Sequence, residues 1–320
     1  MTKIIIALLI VLLPLPALAA DPWTVVACTQ GESGTCRQVN DLTLTNVAAT
    51  IAASTAGDGT SYVDGVYLPA GSETWASAIT LKKGMVLKGA GSASTAITAS
   101  DVAVSFNSAD YSRVTGINFV GIATKNPIQG YGTNVRFDHN LFSGAASIII
   151  RFLDGHHSTG VVDSNSFTAD ISGTAVYVTD TGSGGISTFG STIDYGSADW
   201  VFVEGNTFTN INAATELLEI QYGGKMVPRY NTITGSAWGP IFELHNTNTH
   251  SAVAVGGRAF EAYNNLAKHS SGTGGSFALI REGTGIFYNN VSDYSVSGAE
   301  QTFMLTSYRT WKGANHDEDT

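Results

Sequence analysis

Charge is what this chain has least of. Only 13% of its 320 residues are Asp, Glu, Lys or Arg, about half the share in an ordinary soluble domain. That excludes a coiled coil or long-helix protein, which would be about half Ala, Glu, Lys, Leu and Arg. Disorder is excluded too, because it combines high charge with low hydrophobicity and 43% of this chain is apolar. The net charge is −10, which argues against nucleic acid, whose phosphates need a basic face. Proline numbers seven and cysteine two. Beyond the first residues no stretch approaches about eighteen apolar positions, so no membrane span is expected in the mature chain. What fills the sequence is Gly, Ser, Thr and Asn around short β-branched runs, a β-rich pattern.

Met1 to Ala20 reads as a secretion leader. Lys3 gives the positive start, Ile4 to Leu13 is an unbroken apolar run, and Ala17-Leu18-Ala19 fits a small-x-small cleavage site. The run before Pro14 is short for a membrane anchor. Cleavage predicts a secreted protein, periplasmic or extracellular. In that compartment Cys28 and Cys36 read as a disulfide; a metal or redox pair is the alternative, with a spacing that is not C-x-x-C.

A repeat runs through the rest. Asn recurs before an apolar position at Asn118, Asn140, Asn165, Asn206, Asn231, Asn264 and Asn289, at intervals of 22, 25, 41, 25, 33 and 25. The two long intervals equal one unit plus an insertion of 16 or 8 residues. Units of this size, with β-branched runs between Gly/Asn/Ser turns, predict the stacked turns of a parallel β-helix. Asn suits a corner because it tolerates left-handed backbone and its amide can bond to the same position one turn away. Gly223-Gly224-Lys225 and Gly256-Gly257-Arg258, each six residues before a Tyr-Asn, suggest two homologous turns sharing one basic position. A β-sandwich array is the competing fold.

Two stretches carry a family resemblance. Val66-Tyr67-Leu68-Pro69-Ala70-Gly71 is followed by Leu87-Lys88-Gly89-Ala90-Gly91 and Thr95-Ala96-Ile97; the array from Asn118 to Asn290 follows. The chain thus resembles the right-handed parallel β-helix superfamily of pectate-lyase-like secreted proteins over about residues 60–300. The resemblance implies a single-stranded all-β solenoid and a polysaccharide partner. The expected organisation is a leader at 1–20, an N-terminal cap segment at 21–60 with a short helix between Arg37 and Thr55, the β-helix at 61–310, and a polar tail at 311–320. A monomer is expected.

Charges this sparse are informative where they align. Leu218-Glu219-Ile220-Gln221 and Phe242-Glu243-Leu244-His245 lie one unit apart, and period-2 alternation puts Glu219, Gln221, Glu243 and His245 on one outward face. Tyr177, Arg151 and Arg281 fall in the same columns, and the insertion Thr181–Asp199, with Asp194, Asp199 and adjoining Trp200, is expected to wall the patch. Glu219, Glu243 and His245 are therefore candidate catalytic residues. Arg151, Tyr177, Gln221, Asp194, Asp199, Trp200 and Arg281 are candidate substrate contacts. Two carboxyls one turn apart fit a retaining glycosidase pair. They also fit Ca²⁺ held with Asp194 or Asp199, serving a lyase that removes the proton beside a uronate carboxylate. A solvated polar face is the bland alternative, and a non-catalytic adhesion protein is the alternative of a different class.

Overall fold

The computed structural model describes residues 21–99, 101–121, 126–144, 146–153, 156–168, 171–180, 193–211, 216–236, 239–245, 256–269, 276–281, 283–293 and 302–305. The expected leader and polar tail lie outside these residues. The chain forms a parallel β-solenoid of about eight turns, with one short helix. This removes the sandwich alternative.

Each turn contributes one strand to each of three sheets. Sheet A carries Asp64–Tyr67, Met85–Lys88, Arg113–Thr115, Val135–Asp138, Gly160–Asp163, Val201–Glu204, Lys225–Arg229, Ala259–Tyr263 and Thr284–Tyr288. Sheet B runs from Gly71–Trp75 to Val291–Asp293, and sheet C from Ile79–Thr80 to Thr302–Leu305. Every second side chain points inward and stacks on its counterpart one turn away. Along sheet B, Phe119, Phe142, Phe167 and Phe208 form a continuous ring stack with centroids 5.5, 4.8 and 4.5 Å apart. One turn alone could not bury these rings; stacking does it for all of them.

The N-terminal end is capped as the sequence predicts. Strand Cys36–Val39 joins sheet A, and the helix Leu44–Ala53 buries Val47, Thr50 and Ile51. Trp75 donates its Nε1–H to the carbonyl of Leu42 at 2.9 Å, tying the cap to the first turns. Trp23–Val26 pairs antiparallel with Cys36–Val39, and the Cys28–Cys36 disulfide closes beside this pair.

The asparagine ladder is real but shifted from the expected register. Its rungs are Asn140, Asn165, Asn206, Asn231, Asn265 and Asn290. Each rung before the last donates its backbone N–H and side-chain amide to the Oδ1 of the next, and every amide also donates to a carbonyl near the turn before. Asn118 is not a rung; Ile117 fills that place and donates its N–H to Asn140. Asn264 and Asn289 are the residues before their rungs. They have φ of 57° and 52°, matching His139, Ser164 and Tyr230 in other turns. The left-handed corner and the ladder are thus two adjacent positions, and a Tyr-Asn-Asn sequence leaves open which Asn takes which. The same one-residue slip corrects the basic pair: Lys225 lies opposite Ala259, not Arg258.

Candidate functional site

Strand pairing on sheet C sets two outward columns. Gln129, Arg151, Tyr177, Glu219, Glu243 and Leu279 follow one another in register. Thr179 and Gln221 pair beside them. His245 and Arg281 extend that second column, each donating its backbone N–H to the neighbouring strand. The structure therefore brings together seven of the candidates: Arg151, Tyr177, Glu219, Gln221, Glu243, His245 and Arg281.

These side chains are not a solvated face. Glu219 is 8% exposed and Glu243 has no exposed surface. Thr174 donates its hydroxyl to Glu219 Oε2 at 3.0 Å. Glu216, just before the strand, brings a third carboxyl: atoms of Glu216, Glu243 and His245 lie within 4.8 Å of one another. Sequence periodicity missed Glu216 because it precedes the strand and obeys no alternation. Its one signal was the spacing Glu216-Leu217-Leu218-Glu219.

Burial and crowding of like charge set the electrostatics. Burial, then the charge of Glu216, pushes Glu219 up to about 7 from 4.5. The same two causes push Glu243 up to about 9, against the pull of Arg281. A carboxylate out of water favours its neutral form, and each acid nearby adds to that. At neutral pH Glu243 holds its proton while Glu219 is poised to lose one.

Arginine and histidine fix the geometry around the acids. Arg281 places one terminal nitrogen 3.0 Å from Glu243 Oε1 and the other 2.9 Å from His245 Nε2. A guanidinium only donates, so Nε2 faces a donor, and Nδ1 lies 3.1 Å from the side-chain nitrogen of Gln221. Tyr177 donates its hydroxyl to the same amide's oxygen. The Arg151 guanidinium lies 5.5 Å from the Tyr177 ring centroid.

Comparison with protein-family models, with curated proteins and with solved structures finds no match. The site's chemistry therefore rests on its geometry.

Asp194, Asp199 and Trp200 are not part of this patch. Residues 193–200 run along the outer face of sheet A. Trp200 packs with Val227 and Ala259, Gly196 donates its N–H to Glu261, and the Tyr195 hydroxyl meets that of Thr284 at 2.6 Å. The insertion leaves the solenoid on the sheet A side because Trp200 immediately precedes Val201–Glu204, a sheet A strand. Residues 181–192 and the insertion at 246–251 lie outside the described residues. The expected calcium set is thus not assembled. What meets at the acids is three carboxyls, Glu216, Glu219 and Glu243, with an imidazole and a guanidinium whose positive charge occupies the place beside Glu243, and no step below uses Ca²⁺.

Proposed function

We propose that the protein is a secreted polysaccharide-binding and polysaccharide-cleaving β-helix protein, related to the pectate-lyase-like proteins its first turns resemble. The observation that carries this is the protonation contrast between Glu219, near 7, and Glu243, near 9, side by side on one strip. Titratable neighbours pushed apart in this way assign a base and an acid. The leader-like residues 1–20 and the Cys28–Cys36 bond support export to an oxidising compartment.

The chemistry that fits best is elimination from a uronate chain. The Glu219 carboxylate takes the proton on the carbon beside the uronate carboxylate. The freed electron pair forms a carbon–carbon double bond, the glycosidic carbon–oxygen bond breaks, and Glu243 gives its proton to the departing oxygen. Arg151 and Arg281 face the substrate carboxylate, whose charge must be offset for that proton to leave. Retaining hydrolysis would use the same pair, with Glu219 as nucleophile. The two arginines have no task on a neutral sugar, and so favour elimination. The complete burial of Glu243 favours a second reading, a non-catalytic glycan-binding protein.

The test is incubation of wild type, Glu219→Gln and Glu243→Gln with a panel of uronate and neutral polysaccharides. Double-bond absorbance and new reducing ends are both followed. Wild type is expected to generate absorbance, and each variant to lose 10²-fold or more, the usual scale for a positioned acid or base. Reducing ends without absorbance mean hydrolysis. Binding without either product leaves only the second reading standing.

A further inference from the structure

A second feature of the surface lies far from the carboxyl column, on the outer corner of sheet A. Among the described residues six large apolar or aromatic side chains are exposed. Five of them, Tyr195, Tyr230, Ile286, Tyr288 and Val291, gather at the last turns. The tyrosines are organised by register. Glu204, Arg229, Tyr263 and Tyr288 succeed one another along one outward column of sheet A. Tyr263 and Tyr288 stack at 4.7 Å, only 8° from parallel, and Tyr230 stands edge-on to Tyr263 at 5.9 Å. Arg229 underpins the corner: its Nε donates to Glu204, its NH1 to the Tyr263 hydroxyl at 2.7 Å, and its guanidinium lies 4.9 Å from the Phe202 ring.

Three arguments identify the occupant. Rings held rigid by a paired guanidinium, with Tyr230 at 56% and Tyr288 at 46% exposure, offer flat apolar faces edged by hydroxyls; a pyranose ring presents the matching C–H face and hydroxyl rim. The corner's charged groups are few on a protein of net charge −10: Arg229 offsets Glu204, and Glu261, bonded to the Gly196 N–H, keeps its negative charge. That makes it a place where a neutral glycan, or a neutral stretch of one, can approach without repulsion. Tyr230 and Tyr288, each about half exposed, together offer roughly 150–250 Å², from the 150–250 Å² of a whole aromatic side chain. This falls short of the ~800 Å² per partner that a specific protein interface takes.

We propose that Tyr230 and Tyr288, with Arg229 beneath, form a polysaccharide-holding site separate from the carboxyl column, which grips a glycan without cleaving it. This rests on the glycan reading above for the class of ligand. Because sheets A and C are different faces, one long chain or two neighbouring chains can engage both sites.

The test uses the full protein carrying Glu219→Gln, so that no chain is degraded, and measures its depletion from solution by insoluble uronate and neutral polysaccharides. Tyr230→Ala/Tyr288→Ala in that background is expected to bind about tenfold more weakly per ring removed. In the otherwise wild-type protein the same pair should leave turnover of short soluble oligosaccharides unchanged. Far-UV circular dichroism checks that both fold alike. Depletion unaffected by the double substitution overturns the proposal. So does a wild-type dimer, seen by light scattering, that the double substitution makes monomeric, because the corner would then be a self-contact. Depletion lost in the double variant while wild type cleaves nothing supports this site and removes only the cleavage reading. Cleavage without any depletion does the reverse.

Discussion

The guanidinium of Arg281 lies 3.0 Å from a Glu243 carboxyl that has no exposed surface. Were Glu243 ionised, removing Arg281 would strand a buried charge at a cost of about 3–5 kcal/mol. With its titration pushed up to about 9, Glu243 is neutral at pH 7, and the contact joins a guanidinium to an uncharged acid whose two buried oxygens take no hydrogen bond among the described residues. Arg281→Met is therefore expected to destabilise by only about 1–2 kcal/mol. Glu243→Gln, which copies the protonated form, should cost under about 1 kcal/mol. Urea unfolding at pH 7 measures both, and a loss above about 3 kcal/mol for Arg281→Met would mean an ionised Glu243.

Activity should have a bell-shaped dependence on pH. The base Glu219 must be ionised, so the rate rises through about 7. The acid Glu243 must be protonated, so the rate falls through about 9. The maximum is expected near pH 8, in the plot of kcat/KM for whichever glycan is cleaved. A profile that rises only below pH 6 would remove this assignment of roles.

Stability should move the opposite way across part of that range. A carboxyl whose folded pKa is raised holds its proton more tightly when folded. Its favourable contribution is complete below the unfolded value of 4.5 and is lost as pH rises through the folded value. For Glu219 that window is 4.5 to about 7, and for Glu243 it is 4.5 to about 9. His157, raised from 6.5 by its bond to Asp180, adds in the same direction. Asp64 and Asp138, both lowered from 3.8, act oppositely: their contribution is present above that value and lost as pH falls below it. The melting temperature is expected to peak near pH 4–5 and fall toward pH 9. Glu219→Gln/Glu243→Gln should flatten the alkaline limb.

The ladder predicts a gradient of mutational cost. Asn206 is 1% exposed and lies mid-ladder, accepting from Asn165 and donating to Asn231 and to the carbonyl of Val162. Asn206→Leu strands several buried polar groups, each worth about 1–3 kcal/mol, for a total of roughly 3–5 kcal/mol. Asn290, at the last rung, should cost less than half as much. Thermal unfolding of the two variants gives the comparison, and equal losses would show that the rungs act independently of depth.

Asp138 offers a control outside the site. It has no exposed surface and takes a two-pronged bond from Arg113 at 2.7 and 2.6 Å. Asp138→Asn leaves that half-buried guanidinium without its counter-charge and is expected to cost about 3–5 kcal/mol, with cleavage per folded molecule unchanged.

The fold was legible because its signals repeat. Alternation and turn residues recur every unit, so one misread strand does not change the period. The column Arg151, Tyr177, Glu219, Glu243 was legible for the same reason, since outward parity survives from strand to strand. Three things were not. The acids are buried and meet Thr174 and Glu216, which lie outside their own alternation, and no local pattern reports that. The rung at Asn265 was hidden because Asn264 beside it is equally suited to a corner. The placement of Asp194, Asp199 and Trp200 depends on which sheet an insertion leaves toward, and chain length alone does not encode it.

Stacked turns ordinarily touch only their immediate neighbours, so such arrays can peel from an end one unit at a time. The segment 193–200 breaks that rule. It leaves the chain just before Val201–Glu204, yet holds Glu261 and Thr284, in strands two and three turns further on. A tie across the intervening turns makes their detachment all-or-none: loosening the final turn means releasing this lashing as well. Hydrogen exchange should therefore find the amides of Lys225–Arg229, Ala259–Tyr263 and Thr284–Tyr288 opening with one common free energy, where an untied array would show protection declining step by step toward the end.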